Sequence, residues 1–253
     1  MPARKEIAEK SSSELAILDP ALFEEDANIG TEDLGQEDLA LPWLKIISNQ
    51  KDVNGEPGDI WNTVTGECFN GDEGVQVISC AYQRRFIEWA PRGQGTGAPV
   101  NIFAPGDVMP ETVRDQNNND MIVDGGGNYL EETHQHYVLV LDGDGFNPAI
   151  IAMTKTQLKK SRKWNSMIAS RTMTNAEGKT FRPARFSHVY HLNSTAESNN
   201  KGDWHGWEIS CVGPIENANF YREAKAFNEQ IVSGDVNVKH EQDGEVGENS
   251  TPF

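Results

Sequence analysis

His134-Gln135-His136-Tyr137-Val138-Leu139-Val140-Leu141 leads into Asp142-Gly143-Asp144-Gly145, then Pro148-Ala149-Ile150-Ile151-Ala152-Met153, then a run from Thr154 to Ser170 that carries Lys155, Lys159, Lys160, Arg162 and Lys163. The two apolar runs are rich in β-branched residues, and the Asp/Gly tetrad between them is turn chemistry, so together they read as a β-hairpin. The segment that follows changes period. Thr154 or Thr156 stands where a helix cap is needed, and Leu158, Trp164, Met167 and Ile168 fall on or near one side, with the bases elsewhere. A hairpin that delivers the chain directly into a basic helix sets the middle of the fold.

Working outward, Gly74 to Trp89 is the longest strand candidate, dense in β-branched and aromatic residues and stopped by Pro91. Order is expected to begin near Leu39-Ala40-Leu41-Pro42-Trp43, with a short strand at Ile60 to Val64. Residues 93–128 are rich in Gly, Pro and Asn and read as a flexible insertion with one short strand at Val100 to Phe103. Beyond the basic helix come strands at Phe186 to Leu192 and Trp204 to Val212. A last helix spans Asn219 to Ile231, where Phe220, Ala224, Phe227 and Ile231 recur at helical spacing and Gly234 closes it. The expected class is mainly β: an OB-fold-like small Greek-key barrel with its basic helix between the third and fourth strands, plus a C-terminal helix. An open antiparallel sheet carrying helices fits the same element order.

The 253 residues carry a net charge of −17, unevenly spread. Residues 1–40 hold eleven acids against three bases, −8, and residues 229–253 hold six acids against Lys239, −5. The ends read as disordered acidic segments, 1–38 and 234–253, flanking one domain at 39–233. Between Lys155 and Arg185 the sign reverses: nine bases (Lys155, Lys159, Lys160, Arg162, Lys163, Arg171, Lys179, Arg182, Arg185) face one acid, Glu177, giving +8. A pI of about 4.7 averages over that stripe and hides it. Mean hydropathy is −0.60 and no apolar run could span a bilayer or follow Arg4-Lys5 as a signal peptide, so a cytoplasmic location is expected, the host's if the chain is viral. Cys68, Cys80 and Cys211 form no CxxC and read as free thiols. His134 and His136 point to one side of a strand, but with His188 and His191 they match no ligand spacing, so neither metal nor cofactor is expected.

Single strands are held without sequence choice by phosphate neutralisation and by stacking of bases on aromatic rings. Three stretches interleave bases with rings. The first runs from Tyr82 through Arg84, Arg85, Phe86 and Trp89 to Arg92, with Tyr82, Arg84 and Phe86 on one strand face and Arg85, Ile87 and Trp89 on the other. The second ends Arg162-Lys163-Trp164, and the third is Lys179-Thr180-Phe181-Arg182-Pro183-Ala184-Arg185-Phe186. Tyr82, Arg84, Arg85, Phe86, Trp89, Arg92, Trp164 and Phe186 join the nine bases as candidate nucleic-acid contacts.

The acidic C-terminal run Asp243, Glu245 and Glu248 leads to Pro252-Phe253. A ring beside a carboxylate is a two-point ligand for a basic, apolar pocket on a partner. On this ending, the basic central helix and the element order, the chain resembles the single-stranded DNA-binding proteins of tailed bacteriophages, which are OB-fold proteins with an acidic tail ending in an aromatic residue. The resemblance implies a protein of DNA replication, recombination and repair that coats single-stranded DNA. It would recruit polymerase, helicase-primase or recombinase through its tail, as a non-enzyme without cofactor, and is compatible with a homodimer. Two other classes share the basic stripe: a nucleic-acid-processing enzyme, which would need clustered carboxylates, and a protein-interaction or DNA-mimic component, which would not bind oligonucleotides.

Overall fold

The computed structural model describes residues 29–31, 40–48, 54–143, 145–199, 202–234, 236, 238 and 240. The chain divides into units 1–39 and 40–253. In the first, only residues 29–31 are described. Of the ends expected to be disordered, only residues 29–31, 234, 236, 238 and 240 are described, and the partner-binding residues Asp243, Glu245, Glu248, Pro252 and Phe253 lie outside the described residues.

Within 40–253, thirteen strands are described: β1 (Leu44–Ile46), β2 (Ile60–Asn62), β3 (Cys68–Phe69), β4 (Val75–Trp89), β5 (Asn101–Phe103), β6 (Thr112–Arg114), β7 (Asp120–Ile122), β8 (Tyr129–Asp142), β9 (Gly145–Thr154), β10 (Met173–Thr174), β11 (Thr180–Phe181), β12 (His188–Asn199) and β13 (Gly202–Pro214). The helices are α1 (Leu158–Ala169), entered through a 3-10 turn at Lys155–Gln157, and α2 (Ala218–Ser233). The mainly-β class read from the sequence is what the chain forms. β4, β8 and β9 are consecutive antiparallel neighbours, and β12 returns to pair with β4, giving the order β13-β12-β4-β8-β9 with α1 between β9 and β12. That is a Greek key.

The barrel, however, is not closed among the described residues, and the open antiparallel sheet is the form adopted. The two strands that closure would join have other partners. On β9, the Ile150 N–H donates to the Pro42 carbonyl (2.8 Å). On β13, the Trp207 N–H donates to Oε1 of Gln157 (3.0 Å), just before α1. A side chain and an N-terminal segment thus take up backbone groups that a further ladder would have used.

β4 and β8 are long enough to serve two neighbourhoods. Their first ladder positions carry β12 and β9, and their far end carries β5 and the β6–β7 ribbon. Residues 93–128, read as a flexible insertion, therefore contain three strands. Glu88, 8% exposed, ties both ends of this insertion down by accepting from Nδ2 of Asn101 (2.7 Å) and of Asn128 (2.6 Å).

The register of β4 on β8 shifts between Ser79 and Ala81, leaving Cys80 as a bulge residue. The bulge resets which face each later side chain takes, so Tyr82 joins the face of Val77 and Ser79. The freed Cys80 carbonyl accepts from Nδ2 of Asn228 on α2 (2.8 Å). Phe220, Ala224, Phe227 and Ile231 of α2 pack on this opposite face against Ile78, Cys80, Tyr137 and Leu139, as their spacing predicts. Asn217 caps the helix start, and Gly234 ends it at φ 87, a conformation that favours glycine. The other face buries Val75, Val77, Val138, Val140 and Met153 under Trp164 of α1. Val236 and Val238 pack against the α2-side core, so the domain extends past Ser233. No helix among the described residues is long and apolar enough to cross a membrane.

Candidate functional site

Above the apolar layer beneath α1, the sheet becomes polar while still buried. Glu132, His134 and His136 alternate along β8, so all three point to the α1 side. Ser161 projects from α1 between the two histidines, and its Oγ lies 2.7 Å from Nδ1 of His134 and 2.7 Å from Nε2 of His136. Nε2 of His134 meets Oε1 of Glu132 at 3.0 Å. Arg185 enters from the segment before β12. It donates from Nη2 to Nδ1 of His136 (3.2 Å) and to Oδ1 of Asn165 (2.8 Å), and from Nε to Oγ of Ser79 (2.9 Å). Its guanidinium sits 5.5 Å from the Tyr82 ring centroid.

Because arginine can only donate, every proton in this chain is placed. His136 accepts at Nδ1, so its proton is on Nε2 and goes to Ser161. The Ser161 hydroxyl then donates to Nδ1 of His134, whose Nε2–H donates to Glu132. The order Arg185→His136→Ser161→His134→Glu132 satisfies all five groups with both histidines neutral. Their surroundings favour that state. Burial, then the charges of Arg185 and His134, hold His136 well below the usual 6.5. Burial lowers His134 as well, against the opposing hydrogen bond and charge of Glu132. Burial pushes the Glu132 carboxyl up, but the His134 hydrogen bond and the Arg84 charge outweigh it and the carboxyl sits below its ordinary value. Ser161 occupies the space between the imidazoles that a metal would need, and the described residues contain no His/Cys/Asp/Glu group able to hold one. His188 and His191 lie elsewhere, bonded to Ser187 Oγ and the Glu73 carbonyl.

A pH dependence follows. Both histidines have folded pKa values below the unfolded value near 6.5, so the unfolded chain takes up protons first. Their contribution is complete above about pH 6.5 and is lost as pH falls, at about 1.4 kcal/mol per pH unit for each histidine that stays neutral. Urea unfolding between pH 7.5 and 5.5 should show the loss, and His136→Gln should flatten the slope by close to one proton at the acid end of that range. A slope unchanged in that variant would contradict the assignment.

The predicted contacts separate into three groups. Four bases of the stripe are neutralised by acids distant in sequence: Lys160 by Glu197 (2.8 Å) and Glu208 (3.1 Å), Lys163 by Glu208 (3.2 Å), Arg162 by Glu132 (3.4 Å) and Lys155 by Glu131 (3.9 Å). Arg171 hydrogen-bonds the buried Tyr190 and Arg185 is taken up in the chain above. Arg84 pairs with Glu132 (2.9 Å) and lies over Phe86 (4.8 Å). Arg85 turns to the opposite face, donating to Oε1 of Gln83 (2.6 Å). The second group is interior. Trp89, Trp164 and Phe186 are buried, Trp164 completely, stacked on His136 at 4.4 Å and 18°. Their rings have no face to offer a base, which corrects the expectation for these three. The third group is open to solvent: Arg92, Lys159, Lys179 and Arg182 are exposed, and none makes an ion pair among the described residues.

The model of a family described as Pam3 phage gp34-like protein matches residues 10–237. The chain belongs to this family. No curated protein and no solved structure matches it. The match takes in all thirteen strands, both helices and the whole polar chain, so the site described here falls within the part of the molecule that defines this phage family.

Sequence reasoning missed Glu132, Ser161, Asn165 and Phe181. Glu132-Thr133-His134-Gln135-His136 carried a readable signal, three titratable groups at strand period. In the third interleaved stretch the exposed ring is Phe181 (44%), not Phe186 (9%).

Proposed function

We propose that this chain binds single-stranded DNA, coating strands exposed in replication or recombination without making or breaking a bond. The observation that carries the reading is the β10–β11 hairpin after α1. It presents Phe181, half-exposed, between Lys179 and Arg182, both without an ion-pair partner among the described residues of an acidic chain. A ring flanked by two cations supplies stacking and phosphate neutralisation from one hairpin. Lys159, exposed on α1, extends the cationic surface. The acidic segment 241–253 competes for this surface and serves replication proteins when DNA displaces it.

The test is titration of a labelled oligodeoxythymidine at two salt concentrations. Phe181→Ala should weaken binding roughly 5- to 150-fold, the equivalent of about 1–3 kcal/mol for one stacked base. Replacing Lys179 and Arg182 together by Ala should lower the salt slope by about 1.4, at ~0.7 per phosphate contact. A chain ending at His240 should bind more tightly than the full chain. Absence of salt-dependent binding by either form would overturn the reading in favour of a protein-interaction role.

A further inference from the structure

On the face of the sheet opposite the histidine chain, where α2 ends, there is a cleft of about 250 Å³. Its polar lining comes from adjacent strands: Gln83 and Arg85 on β4, Gln135 and Tyr137 on β8, with Gln83 and Gln135 directly opposite in the ladder. Ile102, Ile231, Val236 and Val238 supply apolar surface, and His240 completes the lining.

Two features of this lining are unfinished. Gln135 is 1% exposed, yet its amide meets partners only at long range, Nε2 to the His240 ring at 3.4 Å and Oε1 to the Tyr137 hydroxyl at 3.5 Å, whose one proton goes to the nearer Oε1 of Gln83 at 3.1 Å. Such contacts are weak, and a buried amide that is poorly satisfied is costly. Arg85 has no carboxylate partner among the described residues and spends its hydrogen bonds on Gln83 Oε1 (2.6 Å) and the Arg84 carbonyl (3.0 Å). By contrast, Arg84, the next residue, has its own ion pair.

From this geometry we infer that the cleft is a nucleotide site. The facing glutamines take the hydrogen-bonding edge of a base, the isoleucines and valines take its faces, and Arg85 takes its phosphate. Gln135 offers the donor and acceptor side by side that a base edge requires, and Gln83, whose Oε1 already accepts from Arg85 and Tyr137, adds its amide donor. Arginine suits phosphate for the same geometric reason. Tyr137 O–H donates to Oε1 of Gln83 (3.1 Å), fixing the direction in which that amide faces. The nucleotide could arrive free or as one unit of a bound strand. The inference stands on this cleft alone and not on the β10–β11 surface.

The experiment uses the full chain and two probes, a mixture-free series of deoxynucleoside monophosphates and a labelled oligodeoxythymidine, followed by calorimetry and by the fluorescence of Trp43, whose ring lies 5.5 Å from His240. At least one monophosphate should bind. Gln135→Met and Arg85→Gln should each weaken it tenfold or more, while Phe181→Ala leaves it unchanged. If both cleft variants also weaken the oligonucleotide, the ligand is a strand unit; if only the monophosphate is affected, it is a free nucleotide. Monophosphate binding without oligonucleotide binding would retain the cleft and remove the single-strand reading. The inference is overturned if no monophosphate binds and both cleft variants, folded as judged by unfolding temperature, bind the oligonucleotide like the parent.

Discussion

Ser161→Ala is expected to lower the unfolding free energy by about 2–6 kcal/mol, a large loss for one oxygen atom. Ser161 is fully buried, and its hydroxyl hydrogen-bonds both imidazoles. Without it, the Nε2–H of His136 and Nδ1 of His134 are both stranded out of reach of water, and each orphaned group costs about 1–3 kcal/mol. The volume removed is too small for a cavity effect of that size. Neither histidine can rescue the other by changing tautomer, because the Arg185 donor fixes His136 at Nδ1 and Glu132 fixes His134 at Nε2. Ser161→Thr keeps the hydroxyl and should cost far less. Combining Ser161→Ala with His136→Leu should cost less than the sum of the two, because the second change removes one of the groups stranded by the first. Urea unfolding at pH 7.5 reads all three. A cost below about 1 kcal/mol for Ser161→Ala would mean the chain is not held as described.

Arg185 shows why such a network is retained despite its expense. Burial pulls its pKa from 12.5 to about 10, which corresponds to about 3 kcal/mol against the charged form at 1.36 kcal/mol per unit. Among the described residues no carboxylate offsets this. Three neutral acceptors and the Tyr82 ring do so instead. The charge remains at neutral pH, and as a donor only it gives the chain from His136 to Glu132 its single direction. A polar interior with only one consistent arrangement specifies how α1 sits on the sheet more sharply than an apolar one would.

What could be read from the sequence follows the range of the interactions. β4, the β8–β9 hairpin and α2 were legible because their signals are local: β-branched density, turn residues, and apolar residues at helical spacing. A Greek-key arrangement was expected from element order, whereas the pairing of β12 with β4 is seen only in the structure. Closure failed for reasons no local pattern carries, since Gln157 and Pro42 occupy the backbone groups of the would-be partners. The basic stripe was legible as composition and misleading as a surface. Glu197 and Glu208, more than 30 residues along the chain from the lysines they meet, neutralise Lys160 and Lys163, and β8 contributes Glu131 and Glu132 from the other side. His134 and His136 were correctly placed on one side of a strand. Ser161 and Arg185, which give them a purpose, come from elements whose docking the sequence does not announce.

Trp164→Ala should cost about 3–5 kcal/mol, as a buried large-to-small change at a ring this size does, and the distinction between core and contact rests on its companion, Trp164→Phe. Were Trp164 a stacking platform for bases, both changes would weaken oligonucleotide binding before they affected the fold. In the structure the ring is wholly inaccessible, pressed on His136 at 4.4 Å and edge-on to Tyr190 at 5.7 Å. Its Nε1–H is buried and has no hydrogen-bond partner among the described residues. Phenylalanine therefore sacrifices no hydrogen bond and relieves an unsatisfied donor worth about 1–3 kcal/mol, against a cavity term of roughly 1 kcal/mol for the smaller ring. The two nearly cancel, so Trp164→Phe should unfold within about 1 kcal/mol of the parent and bind oligonucleotide with unchanged affinity and salt slope. A tenfold loss of affinity in Trp164→Phe at unchanged stability would return this residue to the binding surface and require α1 to lift from the sheet when DNA binds.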